Sequence, residues 1–370
     1  MSLPVALAGA AWAGAAGAIA TAPDWHAAWR AYRTAFIDAQ GRVIDYSADD
    51  GFTTSEGQSY ALFFSLVAGD QDLFRRILAW TDTNLAGSRL GDALPAWKWG
   101  RRQGGWGVIH RNSAGDADSW IAYALLQAGR LWRDPSMDAL GRRLAARIIA
   151  TETAPIASGR VLLPGQAMFP HAAPLLVNPS YTPLFLAHGI AQATSDPAWQ
   201  AIARAQPELV AMTASHGFVP DWAWVPGPPA HLPAGMPLTG VGSFDAIRVY
   251  LWAGLTATET PGAVAALAAL DGMARHLRAH SRPPLRVDVA SGGGEGAGPI
   301  GFSGALLPYL ARLGDQHGLH SQLARIARHR EASGLFGPPA RYYDENLNLF
   351  GLGGLAGVIR FDGSGAVILP

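Results

Sequence analysis

The sequence predicts an all-α protein, and three observations carry that prediction. Apolar residues recur at three- and four-residue spacing in successive blocks from Trp25 onward, clusters of Gly, Pro, Asn and Ser separate the blocks, and runs with a two-residue period are few. About a dozen helices paired as hairpins suit an α/α toroid. In chain order the helical blocks are WHAAWRAYRTAFI, SYALFFSLVAGDQDLFRRILAWTDTNL, DSWIAYALLQAGRLW, MDALGRRLAARIIATE, PLFLAHGIAQAT, WQAIARAQPELVAMTASH, DAIRVYLWAGLTA, AVAALAALDGMARHLRAH and GALLPYLARLGDQHGLHSQLARIARHR. GRVIDYS and GRVLLP are the best strand candidates, short and peripheral. No stretch resembles a Pro/Ser linker, and the Gly-rich SGGGEGAGPIGFSG lies inside the helical series, so residues 23–370 are expected to form one domain.

Composition narrows the function. The chain has 370 residues, 49% hydrophobic against 15% charged, which fits a compact protein rich in buried helix faces. Lys plus Arg and Asp plus Glu balance at 28 each, so no basic field exists to hold nucleic acid or an anionic membrane. The absence of cysteine removes disulfides, thiolate nucleophiles and cysteine metal sites together. Residues 1–22 are uncharged and rich in Ala and Gly, and Ala18 and Ala20 resemble an export cleavage site, although no Lys or Arg precedes the apolar part. This segment is expected to direct export to the periplasm or beyond; an Ala-rich helix packed on the domain is the other reading. It has too few strongly apolar residues to span a bilayer, and no membrane span is expected in the mature protein.

Three acids stand at helix starts. Ser55 with Gln58 forms a capping box that puts Glu56 in a first turn; Ser113 and Asp116 repeat the spacing ahead of a helix beginning near Asp118; Ser243 is a candidate cap before Asp245, with Arg248 one turn on. First-turn acids interact favourably with the helix dipole in proteins of every kind, so each alone has an ordinary structural explanation. Each is followed by an unusually apolar helix suited to an inner ring, and inner helices of a toroid start at the same end. The three carboxylates are therefore expected to converge on one pocket. The segment LPAWKWGRRQGGWGV adds Trp97, Trp99 and Trp106 in a Gly-rich stretch that cannot be a regular helix. Core packing is one use for them. The other is a platform for sugar rings, whose C–H faces stack on indole. No phosphate loop, nucleophile elbow or HExxH zinc motif competes, the scattered His residues read as solvated or structural, and neither metal nor cofactor is expected.

The blocks TSEGQSYALFFSLVAGDQDLF, LPAWKWG, NSAGDADSWIAYALLQAGRLW, NPSYTPL and SFDAIRVYLWAG resemble glycoside hydrolase family 8, and within it the endoglucanases encoded with bacterial cellulose synthase. The likeness runs from about Trp25 to YYDENLNLFGLGG. Where that family usually has Ser or Thr before the second acid, this chain has Gly115. The resemblance implies an (α/α)6 barrel and inverting hydrolysis of a β-1,4-glucan chain, with a cellulose synthase complex as candidate partner. It implies Glu56 as general acid, Asp245 as base, Asp116 as the group that holds a distorted sugar, and Tyr181 and Arg248 as residues ordering water and base. Trp97, Trp99, Trp106 and Tyr343 become candidate sugar platforms. Burial and the charge of Asp116 are expected to keep Glu56 protonated against the helix dipole. Hydrolysis of chitosan, xylan or mixed-linkage glucan, and a non-catalytic glucan-binding subunit, are the competing functions.

Overall fold

The computed structural model describes residues 23–48, 50–231 and 235–369, so the segment read as an export signal lies outside the described residues. The helices are α1 (Trp25–Phe36), α2 (Ser55–Val67), α3 (Gln71–Leu85), α4 (Gly115–Trp132), α5 (Pro135–Thr151), α6 (Leu184–Thr194), α7 (Pro197–Thr213), α8 (Ala246–Leu255), α9 (Ala263–Ala268), α10 (Asp271–Ala279), α11 (Ile300–Leu313), α12 (Gln316–Arg328) and α13 (Tyr342–Leu355). α2, α4, α6, α8, α11 and α13 pack side by side into an inner ring, which Phe350 of α13 closes against Tyr60 and Phe64 of α2. The remaining helices lie outside, α1 on α13, α3 on α2, α5 on α4, α7 on α6 and α12 on α11, with α9 against α8 and α10 against α12. This is the (α/α)6 barrel.

Residue pattern explains which helices are inside. Every residue of α2 except Glu56 is buried, as expected of a helix apolar on all sides, whereas α3 buries one face through Leu73, Phe74, Ile77, Leu78 and Leu85. Rings from five inner helices fill the barrel axis: Tyr60, Phe63, Trp120, Phe185, Trp252 and Phe350 meet mostly edge-on or tilted, with Phe63 stacked on Phe350, Phe350 5.0 Å from Trp252 and Trp120 5.4 Å from Trp252. Phe361, beyond α13, stacks on Phe185 at 3.8 Å. The axis is therefore packed, so a site lies at one of its two ends: where the inner helices begin, or where they finish beside a hollow of about 490 Å³ lined by Leu255, Arg312 and Leu355.

Three of the long periodic blocks divide. Gly69 takes a left-handed φ of 70° and Asp70 then caps α3, accepting from the Leu73 N–H at 3.0 Å; Gly314 and Asp315 do the same between α11 and α12. The third break falls at Ala269–Leu270, between α9 and α10. The periodicity runs on across the breaks because both helices of a pair face one core. Conversely, α13 was not legible as a helix: it is rich in Gly and Asn, and forms because Gly351 lets its backbone rest on α11, where a Cβ would overlap the carbonyl oxygen of Gly304.

Strands are short and peripheral. β1 (Thr53–Thr54), β2 (Lys98–Arg102) and β3 (Gly105–His110) form one sheet in that order, β4 (Thr153–Ile156) pairs with β5 (Gly159–Leu162), β6 (Leu175–Val177) with β7 (Ala223–Val225), and β8 (Val241–Gly242) with β9 (Arg286–Asp288), which pairs with β10 (Gly293–Glu295). GRVLLP supplies β5 as expected; GRVIDYS makes only isolated bridges, Val43 to Ile37 and Asp45 to Phe52. No described helix is long and apolar enough to cross a membrane.

Gly351→Ala should force α11 and α13 apart and destabilise the protein by about 1–3 kcal/mol, the usual cost of overpacking. Denaturant unfolding would read this as a lowered midpoint with an unchanged slope.

Candidate active site

Arg248 is the residue on which the site is built. One turn into α8, its side chain is only 3% exposed, and it reaches the starts of two other inner helices. Nη1 donates to Glu56 Oε2 at 2.6 Å, to the Tyr60 hydroxyl at 3.0 Å and to Asp116 Oδ2 at 3.2 Å, while Nη2 donates to Asp245 Oδ1 at 2.5 Å. The guanidinium carbon stands 5.7 Å from the Tyr181 ring centroid. Glu56, Asp116, Asp245 and Tyr181 thus come together, from α2, α4, α8 and the single 3-10 turn Pro179–Tyr181 before α6.

The helix starts that present these acids differ from the capping expected. Thr54, not Ser55, caps α2, accepting from the Gly57 N–H at 3.1 Å; Gln58 turns away to bond the Val43 N–H at 2.6 Å and the Thr81 hydroxyl at 2.9 Å. With Thr54 as the cap, Glu56 stands in the first turn of α2, and its carboxylate faces Arg248. α4 begins at Gly115, earlier than expected, and Ser113 donates to the buried Glu152 instead of capping. Ser243 donates to the Leu285 carbonyl at 2.7 Å, and the amides at the start of α8 go to Asp221, a residue sequence reasoning missed. Gly115 has a reason of its own: a Cβ there would overlap the Leu163 carbonyl.

The tryptophan segment is not a loop. Trp99 and Trp106 sit on β2 and β3, joined through Gln103 and Gly104, and their rings stack 5.3 Å apart at 17° across the strands. The Arg42 guanidinium covers both rings at 4.6 and 4.7 Å, and Trp80 meets Trp99 edge-on. Trp106 keeps 50% exposure. Trp97 is separate from this stack. Its carbonyl accepts from the Ser55 N–H and its own N–H donates to Asn112, so it bridges the approaches to α2 and α4. Tyr343 lies across the ring, donating its hydroxyl to the Phe244 carbonyl beside Asp245. A hollow of about 630 Å³ opens there between Tyr46, Phe244, Arg341 and Tyr343. On the α6 side, Trp222 meets Tyr181 at 5.8 Å and stacks on Phe169 at 6.2 Å, a second aromatic group that no sequence signal singled out.

The family model described as Glycosyl hydrolases family 8 matches residues 2–356. The chain belongs to that family. It is 41% identical over 342 residues to an endoglucanase of Xanthomonas axonopodis pv. citri (strain 306), covering 92% of this chain and 88% of that one, and 37% identical to an endoglucanase of Escherichia coli (strain K12), covering 96% and 93%. The crystal structure of an endo-1,4-D-glucanase from Vibrio fischeri ES114 superposes with a TM-score of 0.82 at 34% identity, covering 94% of this chain and 99% of that one. The protein is a glycoside hydrolase.

In this family 8 hydrolase one guanidinium faces three carboxylates, an imbalance that favours uptake of a proton. Burial raises Glu56 to about 7, the charges of Asp116 and Asp245 add to the rise, and Arg248 opposes it. Asp116 is raised as well, by burial first, with Arg248 and the Ala117 N–H pulling the other way. Of the three side chains, Glu56 and Asp245 retain 23% and 26% exposure while Asp116 has 6%, so the first two face the opening. Farther in, Asp118 is buried against Glu152 and is raised well above the usual carboxylate range; burial pushes Glu152 up to about 8.

A carboxyl raised on folding binds a proton that the unfolded chain has released, so its contribution to stability is lost as pH rises from the ordinary carboxyl range through about 7. Glu56→Gln, neutral throughout, should therefore melt a few degrees higher than the wild type at about pH 8 and lose that advantage at about pH 5. A gain equal at both pH values would contradict the burial account.

Proposed function

We propose that the protein is an endo-β-1,4-glucanase that cleaves a cellulose-type chain with inversion at the anomeric carbon. The convergence of Glu56, Asp116 and Asp245 on Arg248 is the observation that carries this reading, and the endoglucanase names of the relatives support it. Glu56, raised to about 7, holds a proton near neutrality and gives it to the leaving oxygen. Asp245, held at one oxygen by Arg248, accepts a proton from the water that attacks the opposite face of the sugar. Oxygens bound to adjacent nitrogens of one guanidinium stand at most about 7 Å apart, which reaches the lower part of the inverting range. After cleavage Glu56 is ionised and Asp245 protonated, and exchange with solvent restores both.

Asp116, buried and facing inward, is assigned to holding the sugar at the cleavage point, and Tyr181 with Arg248 to ordering the water and the base. Trp97 and Trp106, with Trp99 behind Trp106, are assigned to sugar positions on one side and Tyr343 to one beside Asp245. Residues 23–370 form the catalytic domain, residues 1–22 direct export to the periplasm or the outside, and the enzyme trims glucan beside a cellulose synthase complex. The role in synthesis rests on the resemblance to endoglucanases encoded with that synthase.

Reducing-end release from carboxymethyl cellulose, with product anomers followed by NMR, tests this. Wild type should give the α-anomer first, and Glu56→Gln and Asp245→Asn should each lower the rate by about 10²–10⁴-fold while remaining folded. Release from xylan or chitosan but not from cellulose would change the substrate; well-folded protein inert on all three would favour a glucan-binding subunit.

A further inference from the structure

The start of α8 is capped from a distance. Asp245 occupies the N-cap position with a helical backbone, φ −80° and ψ −48°, and its side chain makes no capping bond. A capping side chain ordinarily belongs to a residue with an extended backbone, and the helical backbone at Asp245 does not turn its carboxylate back on its own first turn. Here the amides of Ser243, Asp245 and Ala246 all donate to Oδ1 of Asp221, at 2.7, 3.1 and 2.7 Å. Asp221 is itself tied to the same segment, since its N–H donates to the Val241 carbonyl at 2.8 Å. The next amides, of Ile247 and Arg248, bond to the carbonyls of Ser243 and Asp245, and the Asp245 carboxylate points to Arg248 and the opening.

We infer that Asp221 is a positioning residue for the hydrolytic reaction: by accepting from the amides of Ser243, Asp245 and Ala246, it fixes the backbone from which the Asp245 carboxylate reaches Arg248 and water. The inference rests on the reading of Asp245 as the base. Asp221 touches none of the reacting groups assigned above, and works through the backbone of residues 243–246. Its neighbour Trp222 packs against Tyr181, so a two-residue segment braces both the base and the ring beside the guanidinium. Misplacement of a reacting group by about 1 Å can cost about 100-fold in rate, and a cap of three bonds controls displacements on that scale.

The test compares Asp221→Ala, Asp221→Asn and Asp221→Glu with wild type, Asp245→Asn and Glu56→Gln. Two substrates are used: a cello-oligosaccharide, and a dinitrophenyl β-cello-oligoside whose leaving group needs no proton. Asp221→Ala should lower kcat by about 100-fold with KM within about twofold, and Asp221→Asn, which keeps an acceptor oxygen in place, should recover most of the loss. The Asp221→Ala defect should persist on the dinitrophenyl substrate, as for Asp245→Asn, whereas Glu56→Gln should regain activity there. If the alanine variant does not fold, Asp221→Glu decides, because it keeps charge and acceptor but shifts the cap by one methylene; a fall of about tenfold in kcat alone is expected. Variants at 221 that lose activity only in proportion to their folded fraction, or whose defect vanishes on the activated substrate, would overturn the inference. An active Asp245→Asn would instead overturn the assignment of the base.

Discussion

Arg248 brings a single positive charge into a buried space that it shares with the carboxylates of Glu56, Asp116 and Asp245. Burying that guanidinium is unfavourable unless its donors are satisfied, and satisfying them requires helix starts from opposite parts of the chain to arrive at one point. The closed inner ring meets this requirement. α2, α4 and α8 begin at the same end, so residues 56, 116 and 245 meet although nearly two hundred positions separate the first from the last. The mismatch of charge has a chemical consequence: the site holds one proton more readily than free carboxylates would, and Glu56, partly open to solvent, is the group proposed above to donate it.

Stability and reactivity are set by different layers of the same barrel. The ring-filled axis and the close backbone contact of Gly351 with Gly304 pack the inner helices against one another. Above them, the backbone at two of the helix starts is held by side chains other than the acids that face Arg248: Thr54 at α2 and Asp221 at α8. Asp116 is the exception, since Oδ1 accepts the following N–H at 2.8 Å while Oδ2 faces Arg248. Division of one carboxylate between backbone and guanidinium suits a group that holds rather than transfers.

Much of the barrel was legible in sequence because an inner helix, apolar on every side, differs visibly from an outer one. The convergence of the acids was legible as well, given three helix starts that each set a Ser one to three residues ahead of an acid, Ser55 before Glu56, Ser113 before Asp116 and Ser243 before Asp245. What the pattern hid was the destination of each hydroxyl. Ser113 bonds Glu152, Ser243 bonds the Leu285 carbonyl and Ser55 is buried, choices made by residues far away in sequence. Asp221 was invisible for the same reason, as its three donors lie 22 to 25 positions downstream. The Trp99–Trp106 hairpin was obscured by the glycines around its turn, which argue against a helix without arguing for strands. α13 was obscured by residues chosen for close approach instead of helix propensity.

The packed axis also governs how a polymer can meet this protein. With Phe63, Trp120, Trp252 and Phe350 occupying the centre, no strand of substrate can thread the barrel from mouth to base. A long chain laid crosswise over the rim, as the endo reading proposed above requires, keeps both of its ends in solvent, needs no terminus to begin, and gives the two fragments separate exits after the bond is cut.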